Sequence, residues 1–340
     1  MKRFVIFLAL FIASVVVSPS RSLGASKSSP EPLAEIPIEI VNNRTVVHVP
    51  VADYFLHMVL DTGASKTALF QSDDFTFDDL EKNGRAKILF PALDETITGS
   101  RLMPIDIMFG EHTYRPQSIL LIHKRPPVGD RLNFKFDGVL GQDFFAAYVV
   151  EMDSRNRLLR LYARGTDLSG ANNFTKIKLH LKGGSPHIKF TNKFPWERAR
   201  SEKELLLDTG YPGLIVLWND RQFRLAAGRS NVEDYRTENK GIFARATFKI
   251  SRLRFLGAPI FLGANIPKQV QERDGLIGAH VLNQFHFVID FGSKQLLLDR
   301  SHVRFDRIDG SFYVPNNETF VYKKFAEFEA SSKLKIEMKY

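Results

Sequence analysis

From position 34 onward, apolar and polar residues alternate over short runs, and breaks of two residues separate the runs. "IPIEIV", "TVVHVPV" and "FLHMVLD" follow one another in this way, divided by Asn42-Asn43 and by Ala52-Asp53. A period of two with many β-branched residues predicts half-buried strands, and the breaks predict tight turns. "IDIMFG", "SILLIH", "YVVEMD" and "RLLRLY" continue the pattern. Helical periodicity is not sustained beyond three turns anywhere, so the chain reads as all-β.

The pattern also repeats. "LDTGAS" at 60–65, "FDGVLGQDFF" at 136–145 and "YVVEMDSRNRLLRLY" follow one another in the first half. "LDTGYP" at 207–212, "RDGLIGAHVL" at 273–282 and "FHFVIDFGSKQLLLD" follow in the second. Asp61 precedes Asp137 by 76 positions and Asp208 precedes Asp274 by 66, so three elements recur in order at similar spacing. This predicts a duplication with lobes at 34–164 and 165–305, and a C-terminal tail at 306–340 of unplaced role.

The N-terminus changes the picture of where the chain goes. Lys2 and Arg3 precede an apolar run from Phe4 to Val17, and small polar residues follow. Fourteen residues are short for a membrane span and suit a signal-peptide core, which predicts a signal peptide at 1–24 and a linker at 25–33. An uncleaved signal anchor is the alternative. Cysteine is absent, which excludes a disulfide scaffold, a lipidated cysteine and thiol catalysis. An exported chain without disulfides must rely on its core, and the 44% hydrophobic content with 29 Phe supplies one. The expectation is an exported protein, periplasmic or secreted, of bacterial type. The formal charge of +9 includes Lys2, Arg3 and Arg21 of the leader, and no long basic block follows. A solvated basic surface is expected rather than a nucleic-acid partner.

The candidate chemistry lies in the two Asp-Thr-Gly turns. Each follows three apolar residues, so each aspartate is mounted on a rigid strand end rather than on a loose loop. Glycine permits a tight turn and lets a backbone N–H approach the carboxylate, and threonine adds a hydroxyl for local or cross-interface bonding. One such turn arises readily by composition. Two copies, each followed by Asp-Gly-apolar-apolar-Gly, do not.

With those residues the chain resembles the aspartic proteases, and "DGVLGQDFF" is similar to the bacterial retropepsin-like members. The resemblance covers about residues 34 to 304. It implies a bilobal acid-protease fold, with two retropepsin-like β-barrel halves related by a pseudo-twofold axis in one chain. Asp61 and Asp208 would then face each other as the catalytic pair. Thr62 and Thr209 would reach across the axis, Gly63 and Gly210 would present N–H groups to the carboxylates, and Gly138 to Gly141 and Gly275 to Gly278 would form the floor. The implied activity is aspartic-type endopeptidase hydrolysis of a peptide or protein substrate by a monomer, with no metal and no cofactor. Two carboxylates so close share one proton and titrate as a pair.

The second turn departs from the pattern, because Tyr211 stands where a small residue is usual and Pro212 removes a backbone donor. The ring either narrows the cleft or points into the core. The alternative function is therefore an inactive, retropepsin-like module that binds peptides or proteins. Flap candidates are "ETITGSRLMPI" with Gly99 near its tip and "ENKGIFARATF" around Gly241; an ordinary hairpin is equally expected for either. Trp196 either lines a groove or packs. The nine histidines match no metal spacing, and there is neither a G-x-S-x-G elbow nor a P-loop.

Overall fold

The first two strands already show how sequence sets shape here. Asn42 and Asn43 take φ of 48° and 64°, the left-handed pair that a two-residue hairpin needs, and asparagine tolerates it. The second half uses Gly183 and Gly184 at φ 56° and 92° for the same turn. The structure is a computed structural model that describes residues 30–90, 95–123, 136–170, 174–213, 215–218, 232–233, 241–263, 274–303, 311–316 and 319–324.

The first lobe contains β1 (Ala34–Val41), β2 (Arg44–Val51), β3 (Tyr54–Leu60), β4 (Ala68–Phe70), β5 (Lys82–Phe90) and β6 (Glu95–Leu102). It continues with β7 (Ile107–Phe109), β8 (His112–Tyr114), β9 (Ile119–Ile122), β10 (Gly138–Leu140), α1 (Gln142–Ala147), β11 (Tyr148–Asp153) and β12 (Leu158–Ala163). The second lobe runs through β13 (Phe174–Lys182), β14 (Ser185–Asn192), β15 (Ser201–Asp208), β16 (Ile215–Leu217), β17 (Val232–Glu233) and β18 (Gly241–Ile250). It closes with β19 (Leu253–Gly263), β20 (Gly275–Gly278), α2 (Ala279–Leu282), β21 (Phe285–Asp290) and β22 (Gln295–Val303). The architecture is all-β and bilobal.

The lobes share one antiparallel sheet in the order β1-β12-β11-β21-β22-β13. Its centre is the pairing of β11 with β21, where Val149 faces Asp290 and Asp153 faces His286. Strands β1 and β13 each leave that sheet part-way. Ala34–Pro37 pair with β12 while Ile38–Val41 pair with β2; Phe174–Lys178 pair with β22 while Leu179–Lys182 pair with β14. Ile36 and Ile38 are buried and Glu35, Pro37 and Glu39 are exposed, so the alternation read from sequence is the alternation of the pleat.

In each lobe the strand that ends at Asp-Thr-Gly runs parallel to the Asp-Gly-apolar-apolar-Gly strand. Met58–Leu60 lie beside Gly138–Leu140, and Leu205–Asp208 lie beside Gly275–Gly278. A third strand, β4 or β16, flanks the other side antiparallel. A strand covered on both sides and both faces is apolar throughout, which explains why both aspartates emerge from unbroken hydrophobic runs. One continuous apolar cluster extends through both lobes, from Leu56, Met58 and Leu60 to Leu205, Leu207 and Ile277. Beyond it, β23 (Ser311–Asn316) and β24 (Thr319–Lys324) form a hairpin, and β24 adds in parallel to β19. Part of the unplaced tail is thus an extra edge on the second lobe. The leader and linker lie outside the described residues, apart from the linker's last four positions.

Candidate active site

The two Asp-Thr-Gly turns meet at the seam between the lobes. Thr62 and Thr209 are buried, and each reaches across: Thr62 Oγ1 donates to the Leu207 carbonyl (2.6 Å) and Thr209 Oγ1 donates to the Leu60 carbonyl (2.8 Å). Each backbone N–H in turn donates to the other hydroxyl at 3.0 Å, Thr62 to Thr209 and Thr209 to Thr62. Both hydroxyls are therefore saturated as donor and acceptor. In a buried site such reciprocal bonds lock the two loops, because separating them would break four hydrogen bonds among six polar groups.

That clamp brings Asp61 and Asp208 face to face, each carboxyl lying against the glycine of the opposite turn. Gly63 N–H (2.8 Å) and Ala64 N–H (3.1 Å) donate to Asp61 Oδ1. Gly210 N–H (3.0 Å) and Tyr211 N–H (2.9 Å) donate to Asp208 Oδ1. Each glycine lies against the opposite carboxylate. A Cβ built on Gly63 would stand 2.7 Å from Asp208 Oδ2, and one on Gly210 would overlap the Asp61 carboxylate. Only a residue without a side chain lets the acids approach.

Both aspartates are half-buried and keep part of their surface open. Enough protein surrounds them that burial is the leading influence on their acidity. It raises Asp61, and it raises Asp208 to about 7, where the neighbouring Asp61 charge adds to the effect. The N–H donors and the cation Arg44 pull both back toward ionisation. The pair therefore holds one proton more firmly than ordinary carboxylates do.

The glycines of the second motif sit under the turns. Gly138 passes close to Met58 and the Ala68 carbonyl, and Gly141 close to the Lys66 backbone. Gly275 passes against the Val216 carbonyl, and Gly278 against the Gly213 carbonyl and the Tyr211 ring. The residue after each motif ties it to its turn: Gln142 N–H donates to the Ala64 carbonyl (2.8 Å) and Ala279 N–H to the Tyr211 carbonyl (2.7 Å).

Several residues at the site were not singled out in the sequence. Asp137 Oδ2 accepts the His57 backbone N–H (2.9 Å), and Asp274 Oδ2 accepts that of Glu204 (2.8 Å). Each therefore anchors the strand four residues before its lobe's aspartate; recurrence of the acid in both halves was the available signal. Arg44, Gln142 and Asn283 cross between lobes and left no signal in the chain. Arg44 Nε donates to the Gly210 carbonyl (2.9 Å), Gln142 Nε2 to the Thr62 carbonyl and Ser185 Oγ (both 3.0 Å), and Asn283 Nδ2 to the Asn43 carbonyl (2.6 Å).

Tyr211 resolves as a packing residue at the rim. Its ring lies over Gly213 and Gly278 beside Leu206, Val216 and Leu276, and its N–H still serves Asp208. Gly99 needs correction. It lies inside β6, between Ala86 of β5 and Ile122 of β9, where a side chain would strike the Leu121 backbone, so it is not at a hairpin tip. The tip that joins β5 to β6, residues 91–94, lies outside the described residues. Gly241 opens β18 opposite Gly263, and residues 234–240 before it lie outside the described residues too. Trp196 packs: it is fully buried and stacked on Phe194 at 5.1 Å between centroids. Among the described residues, no group of three His, Asp or Glu side chains is arranged to hold a metal, and no helix is long and apolar enough to cross a membrane.

Among solved structures, the chain is similar to the aspartic proteinase from Irpex lacteus, with a TM-score of 0.53 over 80% of this chain and 97% of that one. The fold is that of a pepsin-like aspartic proteinase. Sequence identity is 15%, so the likeness speaks for the fold alone. No family model and no curated protein matches the chain.

Proposed function

We propose that this protein is an aspartic-type endopeptidase in which Asp61 and Asp208 activate a water for attack on a peptide bond. The supporting observation is the paired carboxyls, each backed by two N–H donors and each facing a glycine of the other turn. A pair that holds one proton has one ionised member to accept a proton from water. The other member can donate its proton to the oxygen of the scissile carbonyl as charge develops there. The N–H donors hold the acceptor lone pairs, so both carboxyls keep their orientation without reorganisation during the reaction. No covalent intermediate is required.

The retropepsin-like character of each half belongs to the same proposal, and rests on the compact tandem Asp-Thr-Gly repeats. So do action as a monomer, which a complete pair within one chain permits, and export. The substrate is a peptide or protein.

The test is digestion of denatured casein by the purified chain between pH 3 and 7, with and without pepstatin. Wild type is expected to cleave, and Asp61→Asn and Asp208→Asn are each expected to lose at least about 1000-fold in rate. Cleavage that survives either substitution would eliminate the paired-acid mechanism.

A further inference from the structure

The two lobes dock on each other through equivalent turns with unequal chemistry. After Gly183-Gly184 the second lobe opens β14 with Ser185, a neutral partner for Gln142. After Asn42-Asn43 the first lobe opens β2 with Arg44, which is only 6% exposed. A buried cation is costly unless compensated. Its Nε bond to the Gly210 carbonyl satisfies one donor, and the Phe136 ring lies 5.9 Å from the guanidinium carbon. Neither supplies a negative charge. Among the described residues, the carboxylates that act on Arg44 are Asp61 and Asp208.

The position of the guanidinium is fixed from the second lobe. Asn283, at the end of α2, donates to the Asn43 carbonyl and accepts from Thr45 Oγ1 (3.1 Å), so the residues on both sides of Arg44 are pinned. Gly210 itself belongs to the turn that serves Asp208. The cation is therefore carried on one lobe and held by the other lobe's catalytic turn. Among the described residues, the other titratable group whose acidity responds to the pair is the Tyr211 phenol, which burial and then the Asp208 charge push upward, so it stays neutral. Gln142 and the two threonines are neutral.

We propose that Arg44 is a positioning residue whose single buried positive charge holds the Asp61–Asp208 pair in its form with one proton and one negative charge. With both acids protonated the cation would lack a counter-charge; with both ionised one carboxylate would. One negative charge on the pair balances it. This rests on the catalytic reading of the pair for its consequence in rate, but not for its effect on titration.

The test compares Arg44→Gln, Arg44→Met and Arg44→Lys with wild type in two ways. One is the pH dependence of kcat/KM on a peptide substrate. The other is the carboxyl titration of the pair, followed by NMR of protein labelled with ¹³C at aspartate carboxyls and assigned with Asp61→Asn and Asp208→Asn. Loss of a nearby cation disfavours ionisation, so both limbs of the rate profile and both titrations of the pair should move up by about one pH unit in the Gln and Met variants. Arg44→Lys keeps the charge and should titrate like wild type. A purely structural latch predicts instead that kcat/KM falls at every pH with the limbs unmoved, and that Lys, which lacks the planar fork, behaves like Gln. Either result overturns the proposal. So does failure of both neutral variants to fold while Arg44→Lys is sound. A shifted titration in a chain that cleaves nothing would remove the protease reading and leave Arg44 its role; cleavage with unshifted limbs would do the reverse.

Discussion

The two Asp-Thr-Gly turns have one backbone plan and two chemical surroundings. Both present two N–H donors to their own aspartate, both set a glycine against the opposite acid, and both rest on a glycine-bearing parallel strand. Around that frame the halves diverge. Ala64 follows the first turn and Tyr211 the second; a cation docks on the second turn and a neutral amide on the first. The shared sheet is unequal as well, since Glu151 of β11 lies directly opposite Val288 of β21, its counterpart in the repeat. The two halves therefore agree in the parts that hold the acids in place, whose geometry tolerates little change. They differ in the parts that tune charge and packing, where many side chains fit.

The severest way to break the symmetry is to fill the space between the acids. Gly63→Ala and Gly210→Ala each insert a methyl against the opposite carboxylate, and a displacement of about 1 Å at a reacting group can cost about 100-fold. Both should lose at least that in kcat/KM, with Gly210→Ala worse because its Cβ would overlap Asp61 outright. Near-wild-type kinetics for either would mean that the acids do not face each other as described.

The second comparison sits in the shared sheet. Glu151 takes a 2.6 Å bond with His286 across the lobes and accepts from Tyr162 OH at 2.5 Å, with Arg160 Nη1 3.5 Å away. Burial alone would raise its carboxyl, but the hydrogen bonds of His286 and Tyr162, with the charges of His286 and Arg160, hold it below the ordinary range. A carboxylate with a lowered folded value stabilises the fold above its unfolded value and loses that contribution as pH falls. Glu151→Gln should cost about 3 kcal/mol at pH 7 and much less near pH 3, read by urea unfolding. An equal loss at both pH values would assign the effect to packing.

The last expected effect runs the other way. Asp208 is raised from 3.8 to about 7, so between those values the unfolded chain has released a proton that the folded chain retains. Native stability is then lost as pH rises through this window. Asparagine cannot ionise. Its amide oxygen can face the Gly210 and Tyr211 N–H groups while its NH₂ donates to Asp61. Asp208→Asn is thus expected to be more stable than wild type at pH 8, by a margin that closes as pH falls to 3.5, read by urea unfolding. No pH dependence in that difference would mean that Asp208 ionises without regard to its partner.

Sequence by itself determined what is local or repeated. Strand alternation, the Asn42-Asn43 turn and the two recurring motifs follow from pleat geometry and turn preference, which act over a few residues. Their recurrence was enough to nominate Asp61 and Asp208 and the threonines and glycines beside them. Tertiary structure decided everything that depends on neighbours far along the chain. Arg44 and Gly210 are 166 positions apart, and nothing in either sequence context announces their bond. Gly99 has a turn-forming residue type but is held in the middle of a sheet by Ile122, and Trp196 is sealed by Phe194 rather than exposed to a groove. Part of the tail became a strand only because β19 offered an unpaired edge. Local propensity sets the elements, but burial and cross-lobe pairing belong to the assembled whole, where a residue's worth is fixed by what is packed against it.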